Sequence, residues 1–298
     1  MREGILIIAL FVGLFSCKKP NNLDGLAFPS ERLDEYQFDA YENTWDIEIP
    51  DSFTIAPEQR TLFTVPSFDE STGETYNIYC VYIGDLANLA SDSIILYCHG
   101  QALHMDTYWN RVSILANLTE KHHYGVLMMD YRGYGMSEGS SDVNSLEEDV
   151  DACITWLKDQ GADQNKTFYY GFSLGCIPVI DRAAYRSDFK PTKIILEAPL
   201  ASVENLSNTS TIINVDPSYI TNLRFENAEK IKDVDAELMW MHGVADDYIE
   251  IENGELIYGN HSGNYKEAHR VENAGHSEVP HLLGLETYMS ILEEFLNK

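Results

Sequence analysis

Apolar and polar residues alternate between positions 61 and 84, on both sides of the short turn Ser71-Thr72-Gly73. Because successive side chains of a strand point to opposite faces, this pattern predicts an antiparallel hairpin. Further along, the alternation gives way to nearly continuous apolar runs, which indicate strands buried on both faces. These runs are residues 93–98, 125–129, 167–171, 193–196 and 238–241, and a further strand is predicted at residues 268–271.

Stretches with helical periodicity lie between the apolar runs. The predicted helices are residues 111–121, 145–160, 176–186 and 282–297. The second is expected to open with a capping box formed by Ser145 and Glu148. Buried strands that alternate with helices predict a mostly parallel sheet with helices on both faces. Functional sites in such sheets form at the carboxyl ends of the strands.

A polar segment near residues 200–233, which contains Pro217, interrupts this rhythm. We interpret it as a small cap over the site, and the alternative is a surface excursion without a role. Residues 31–298 are long enough to bury one large core, so they are predicted to form a single α/β domain that carries this cap.

The first residues have a different character. Arg2 is followed by an apolar run of eleven residues, 5–15, which is too short to span a bilayer comfortably. The run leads into Leu14-Phe15-Ser16-Cys17, which resembles a bacterial lipobox. The resemblance implies a signal peptide at residues 1–16, lipidation of Cys17 and a tether at 17–30. The protein would then be exported and lipid-anchored in the cell envelope, on the periplasmic or outer-membrane face. The alternative is an ordinary signal peptide.

The composition narrows the possible partners. The chain is 44% hydrophobic, as in globular proteins, and its formal net charge is −28. This charge argues against nucleic acid as a partner, because phosphate binding needs a basic patch. Besides Cys17 there are four cysteines, in no spacing that suggests a metal site. Cys98, Cys153 and Cys176 lie in apolar stretches and are expected to be buried free thiols, although an exported chain could pair two of the four. These four are Cys80, Cys98, Cys153 and Cys176.

The sequence Gly171-Phe172-Ser173-Leu174-Gly175 lies between a predicted strand and a predicted helix. A G-x-S-x-G motif in this position is a nucleophile elbow, in which a tight turn exposes the serine hydroxyl. The two glycines remove side chains that would clash in the turn. The motif predicts Ser173 as a nucleophile, with the Leu174 N–H at a helix N-terminus where negative charge is stabilised.

A serine nucleophile needs a base, which is usually a histidine oriented by a carboxylate. Asp246 and His276 follow Ser173 in the order Ser, Asp, His, and each lies in a loop after a predicted strand. Two neighbouring residues are alternatives: Asp247 as the acid and His281 as the base, although His281 is expected to cap the last helix. His99 and His242 are expected to brace loops.

Several motifs together resemble the α/β-hydrolase superfamily from about Phe63 to the C-terminus, in particular its serine esterases, depalmitoylase-like hydrolases and S33-type peptidases. They are His99-Gly100, residues 130–139, the elbow, H-G-x-x-D ending at Asp246, and Gly275-His276. The resemblance implies the α/β-hydrolase fold, with a mostly parallel sheet of about eight strands. It implies Ser173 as nucleophile, Asp246 as orienting acid and His276 as base. The oxyanion donors would be the N–H groups of Leu174 and Gln101, and neither a cofactor nor a metal is expected.

The expected function is a serine hydrolase that cleaves carboxylic esters through an acyl-enzyme. Its partners would be a small-molecule or lipid ester and the membrane that holds its lipid anchor. The alternatives are an S33-like aminopeptidase, an acyltransferase and a non-catalytic surface-binding lipoprotein. Tyr108 and Trp109 could line the acyl pocket or could belong to the core.

Overall fold

The computed structural model describes residues 28–42, 48–118, 124–205 and 224–298. The predicted signal peptide, Cys17, most of the predicted tether and the centre of the predicted cap lie outside the described residues. Within the described part of the chain, no helix combines the length and the apolar character needed to cross a bilayer.

The described residues form an eight-stranded sheet in the order β1-β2-β4-β3-β5-β6-β7-β8. Its strands are β1 (Arg60–Phe68), β2 (Thr75–Ile83), β3 (Ser93–Cys98), β4 (Tyr124–Met129), β5 (Thr167–Phe172), β6 (Lys193–Glu197), β7 (Glu237–Gly243) and β8 (Lys266–Val271). β1 and β2 form the predicted antiparallel hairpin, and β2 also pairs antiparallel with β4. The remaining neighbours are parallel. The predicted mostly parallel sheet is therefore confirmed.

Helices cover both faces of the sheet. They include α1 (Trp109–Ala116), α2 (Val143–Asp159), α3 (Cys176–Tyr185), α4 (Asn227–Lys230), α5 (Ile251–Asn260), α6 (Val279–Leu283) and α7 (Leu285–Leu296). Successive residues of β3 serve different cores, because Leu96 packs in a cluster with α2 and α3, whereas Ile95 packs in a cluster with α1 and α7. This arrangement explains why the central strands lack the alternation of apolar and polar residues that marks the hairpin.

Three helix predictions were wrong in detail. The helix predicted at residues 111–121 begins earlier, at Trp109, and α1 ends at Ala116. α2 begins at Val143, and Asp142 caps it by accepting the Ser145 N–H at 2.7 Å, so the capping box does not involve Glu148. The aspartate precedes Ser145 by one turn and is an equally good N-cap. The predicted last helix is divided at Gly284, whose φ of 77° ends α6 before α7 starts.

The N-terminal segment of the described chain packs against two loops of the domain. Phe28 is buried, and Ser30 forms a β-bridge with Leu103. Arg32 forms another bridge with Gly135. The last residues of the predicted tether therefore belong to the folded domain, because their backbone and side chains are tied to it.

The ends of the predicted cap lie together. Ser202 and Glu226 form an antiparallel bridge, and the Ala228 N–H donates to the Ala201 carbonyl at 3.0 Å. The described residues on either side of the predicted cap are therefore adjacent in space.

The four cysteines that the structure describes are buried free thiols. This confirms the expectation for Cys98, Cys153 and Cys176, and Cys80 has the same environment. Cys80 on β2 and Cys153 on α2 are neighbours, with 3.5 Å between their sulfur atoms. Burial raises the pKa of the Cys80 thiol well above its ordinary value, which disfavours the reactive thiolate.

Candidate active site

Ser173 lies at a sharp turn between β5 and α3. Its φ of 52° is in the left-handed region, which costs a non-glycine residue about 1–3 kcal/mol. The flanking glycines make the turn possible. A Cβ at Gly175 would lie 2.0 Å from the Cys98 carbonyl oxygen, and one at Gly171 would lie 2.7 Å from the Cys176 Cα. The steric argument for glycine at both positions is confirmed.

The structure brings Ser173, His276 and Asp246 into one hydrogen-bonded chain. His276 Nε2 is 2.8 Å from Ser173 Oγ, and its Nδ1 is 2.8 Å from Asp246 Oδ2. The three residues come from loops that follow β5, β7 and β8. With Nδ1–H donating to the carboxylate, Nε2 is left as the acceptor for the serine hydroxyl.

Asp246 is held as a carboxylate. Its Oδ1 accepts the backbone N–H groups of Tyr248 at 2.9 Å and Ile249 at 2.8 Å. Burial by itself would raise the pKa of Asp246, but hydrogen bonds from His242 and His276 outweigh it and lower the pKa below its ordinary value. Asp246 therefore stays ionised at neutral pH.

The alternatives considered for the acid and the base lie elsewhere. Asp247 is exposed, whereas the Asp246 side chain is fully buried against His276. His281 is exposed on α6. Neither residue contributes to the chain of hydrogen bonds that reaches Ser173 Oγ.

His99 and His242 face protein atoms on both sides of their rings. His99 Nδ1 is 2.8 Å from the Gly100 carbonyl oxygen, and its Nε2 is 3.1 Å from Asp130 Oδ1. His242 Nε2 is 2.8 Å from the Ile249 carbonyl oxygen. Both rings are fully buried, which fits the expected role of bracing loops.

The two expected oxyanion donors lie on either side of the elbow. Leu174 is in the first turn after the serine, where N–H groups have no acceptor within the helix. Gln101 follows Gly100 in the loop after β3, the strand that pairs with β5. A Cβ at Gly100 would come within 3.0 Å of the Phe172 ring, so this loop approaches the elbow closely.

Gln101 is tied down by two tyrosines that the sequence analysis did not single out. The Tyr134 hydroxyl donates to the Gln101 carbonyl oxygen at 2.7 Å. The Tyr248 hydroxyl donates to the Gln101 side-chain oxygen. Tyr134 lies in the glycine-rich loop of residues 130–139, which was the available signal. Nothing in the local sequence marks Tyr248.

A buried ion pair supports the loop that carries His276. Arg111 Nη1 lies 2.6 Å from Glu197 Oε2, and both side chains are almost fully buried. Arg111 Nη2 also donates to the Ser277 carbonyl oxygen at 3.2 Å. Its guanidinium lies 4.2 Å from the centroid of the Phe172 ring, next to Ser173. In the sequence, Arg111 was predicted only to start a helix.

Tyr108 and Trp109 belong to the core. Both are 1% exposed, and the Tyr108 ring stacks on His99 with 4.9 Å between centroids. Trp109 Nε1 donates to Asp39 Oδ1 at 2.9 Å. These contacts favour the packing interpretation of the two residues.

Among residues 28–42, 48–118, 124–205 and 224–298, no group of three or more His, Cys, Asp or Glu side chains is arranged to hold a metal ion.

A protein-family model matches part of the chain. Residues 90–232 match the model described as serine aminopeptidase, S33. The matched residues include Ser173 but stop before Asp246 and His276. A relative in sequence is alpha/beta hydrolase domain-containing protein 17C of Mus musculus, which is 26% identical over 222 residues. The alignment covers 74% of this chain and 65% of the relative, so the chain spans slightly less than two thirds of that protein.

Solved structures of similar fold have low sequence identity to the chain. An esterase of Pyrococcus furiosus has a TM-score of 0.62 and 17% identity, over 86% of this chain and 98% of that one. A bromoperoxidase of Bacillus anthracis has a TM-score of 0.60 and 13% identity, over 80% of this chain and 100% of that one. These likenesses establish the fold, and the different names of the two proteins show that the fold alone does not identify the reaction.

Proposed function

We propose that this chain, which has the α/β-hydrolase fold, is a serine hydrolase that cleaves carboxylic ester bonds through an acyl-enzyme. The observation that carries the proposal is the pair of 2.8 Å contacts from His276, one to Ser173 Oγ and one to Asp246 Oδ2. The family-model match and the hydrolase-named relatives support an enzyme of this class.

In the proposed reaction, Ser173 Oγ attacks the ester carbonyl while His276 Nε2 takes the hydroxyl proton. The Asp246 carboxylate stabilises the resulting imidazolium and holds its orientation. The N–H groups of Leu174 and Gln101 would donate to the oxyanion, and losing one such donor costs about 3 kcal/mol in well-studied enzymes. His276 then protonates the leaving alcohol, and water, activated by the same histidine, releases the acid.

A fluorophosphonate probe tests the proposal directly. Treatment of the folded full-length chain should give an adduct on Ser173 by mass spectrometry. The adduct should be lost in His276→Ala and retained in His281→Ala, which removes an exposed histidine outside the hydrogen-bonded chain. A folded wild-type protein without the adduct would contradict the proposal and favour a non-catalytic binding protein.

A serine aminopeptidase is the second candidate, because the family model that matches residues 90–232 carries that description. Rates with p-nitrophenyl esters and with aminoacyl p-nitroanilides separate the two reactions. Preference for the esters supports the first proposal. A higher kcat/KM for the anilides would assign the same three residues to peptide cleavage.

We also propose that the protein is exported and anchored in the cell envelope through lipidated Cys17. The support is the sequence of residues 1–17 alone. Metabolic labelling with an alkynyl fatty acid should mark the wild-type protein and not Cys17→Ser. Equal labelling of both proteins would contradict the anchor.

A further inference from the structure

The peptide group between Gly100 and Gln101 is held at its oxygen end. His99 Nδ1 lies 2.8 Å from the Gly100 carbonyl oxygen. In a trans peptide the C=O and N–H bonds point in opposite directions, so fixing this carbonyl also fixes the direction of the Gln101 N–H. That N–H is the one assigned above to the oxyanion.

Two tyrosine hydroxyls bind Gln101, one at its backbone carbonyl oxygen and one at its side-chain oxygen. Tyr134 donates to the backbone carbonyl at 2.7 Å, and Tyr248 donates to the side-chain oxygen. The residue after a glycine otherwise has a mobile backbone, because glycine allows many conformations. The three contacts together restrict both the rotation and the displacement of Gln101.

Each tyrosine is itself fixed. The Tyr134 ring is fully buried, with its centroid 5.7 Å from that of His99. The Tyr248 ring packs on the His276 ring with 4.8 Å between centroids. The backbone N–H of Tyr248 donates to Asp246 Oδ1. Tyr248 therefore links the loop that carries Asp246 to the loop that carries Gln101, and its ring lies against His276.

Both hydroxyls remain donors over the physiological range. Burial raises the pKa of Tyr134 well above its ordinary value. Burial, followed by the charge of Asp246, raises the pKa of Tyr248. A phenol that keeps its proton can donate continuously to the carbonyl and amide oxygens of Gln101.

We propose that Tyr248 and Tyr134 are positioning residues that aim the Gln101 N–H at the oxyanion, and that the Tyr248–Gln101 side-chain bond couples this donor to the acid–base pair. The inference rests on the proposed hydrolase function. A displacement of the donor by about 1 Å weakens a hydrogen bond made in the transition state, and misplacement of that size costs up to about 100-fold in rate.

A double-mutant cycle on the Tyr248–Gln101 bond tests this. Tyr248→Phe removes only the hydroxyl, and Gln101→Met removes the amide at nearly constant size. Each should lower kcat about tenfold with KM nearly unchanged, and the double variant should be no slower than either single variant, because one bond is lost in all three. Tyr134→Phe should also lower kcat, through the backbone carbonyl. Tyr185→Phe, at an exposed tyrosine on α3, is the control and should match wild type.

Affinity for a trifluoromethyl ketone, which forms a tetrahedral oxyanion adduct with the serine, gives a second readout. Its Ki should rise by the same factor by which kcat/KM falls, whereas a purely structural role would lower the melting temperature and leave Ki unchanged. Rates are normalised to the fraction of protein labelled by a fluorophosphonate. Wild-type kcat in Tyr248→Phe, or additive losses in the double variant, would overturn the inference. An inactive, unlabelled wild type would overturn the proposed function instead.

Discussion

Two histidine–aspartate pairs lie at the carboxyl ends of the strands. We call the partly exposed one the exposed pair and the fully buried one the enclosed pair. In one, His276 Nδ1 is 2.8 Å from Asp246; in the other, His99 Nε2 is 3.1 Å from Asp130. The His276 side chain is 20% exposed, whereas that of His99 is fully buried. The second nitrogen of His276 faces the Ser173 hydroxyl, and that of His99 faces the Gly100 carbonyl oxygen.

The difference shows that a histidine–aspartate pair does not by itself define a catalytic base. A hydroxyl can pass a proton to the imidazole, but a carbonyl oxygen has no proton to pass. The exposed pair is thus suited to proton transfer. The enclosed pair is suited to orienting a peptide, here the one whose N–H we assign to the oxyanion.

The largest expected effect is on the exposed pair. His276→Ala should reduce kcat/KM for a p-nitrophenyl ester by at least about 10⁴-fold, because Ser173 loses its base. The melting temperature should also fall, because the buried Asp246 carboxylate loses one donor, so activity is compared at a temperature where the variant is folded. Steady-state kinetics and thermal unfolding measure the two quantities, and His281→Ala is the matched control. Retention of most activity in folded His276→Ala would break the comparison.

The acid of the exposed pair should be nearly as sensitive. Asp246→Asn should lower kcat by about 10³- to 10⁴-fold, because the neutral amide no longer selects the productive tautomer or stabilises the imidazolium. Asp247→Asn changes the neighbouring exposed carboxylate and should stay close to wild type. Equal losses in both variants would mean that charge near the site matters more than the contact with His276.

A substitution next to the His99–Asp130 pair should lower the free energy of unfolding more than it lowers activity. The Tyr36 hydroxyl donates to Asp130 Oδ2 at 2.7 Å. Tyr36→Phe should lower the free energy of unfolding by about 1–3 kcal/mol, because a buried carboxylate loses a donor. Urea denaturation measures this loss. Tyr76→Phe, which removes an exposed hydroxyl bonded to Glu74, is the control and should leave the free energy of unfolding nearly unchanged. An unchanged stability with a large fall in kcat would contradict the assigned role.

The smallest expected effect is on how the free energy of unfolding changes with pH under acidic conditions. The pKa of Asp246 is lowered in the folded protein, so the unfolded chain binds this proton more tightly. The carboxylate therefore stabilises the fold fully above about pH 5, and this contribution is lost as the pH falls toward the lowered pKa. The unfolding free energy of Asp246→Asn should depend less on pH than that of wild type between about pH 2 and 5. If the unfolding free energies of wild type and Asp246→Asn changed equally with pH, the lowered pKa of Asp246 would be contradicted.

Much of the fold follows from local requirements. Apolar runs without alternation need burial on both faces, so they predict the central strands, and the hairpin pattern predicts β1 and β2. The elbow glycines are required by contacts at 2.0 Å and 2.7 Å, so their spacing already located the turn at Ser173. The start of α2 was less predictable, because Asp142 and Ser145 are both competent caps and the local sequence does not rank them.

The sequence alone therefore determined the sheet, the elbow and the candidates Ser173, Asp246 and His276, since period, turn geometry and motif spacing are properties of neighbouring residues. Only the tertiary structure decided which histidine faces a hydroxyl and which faces a carbonyl. It also decided that Tyr248 reaches Gln101, 147 positions away, and that Arg111 reaches Glu197, 86 positions away. The physical reason is that a polar side chain finds its partner where separate loops converge, and no local pattern records that convergence.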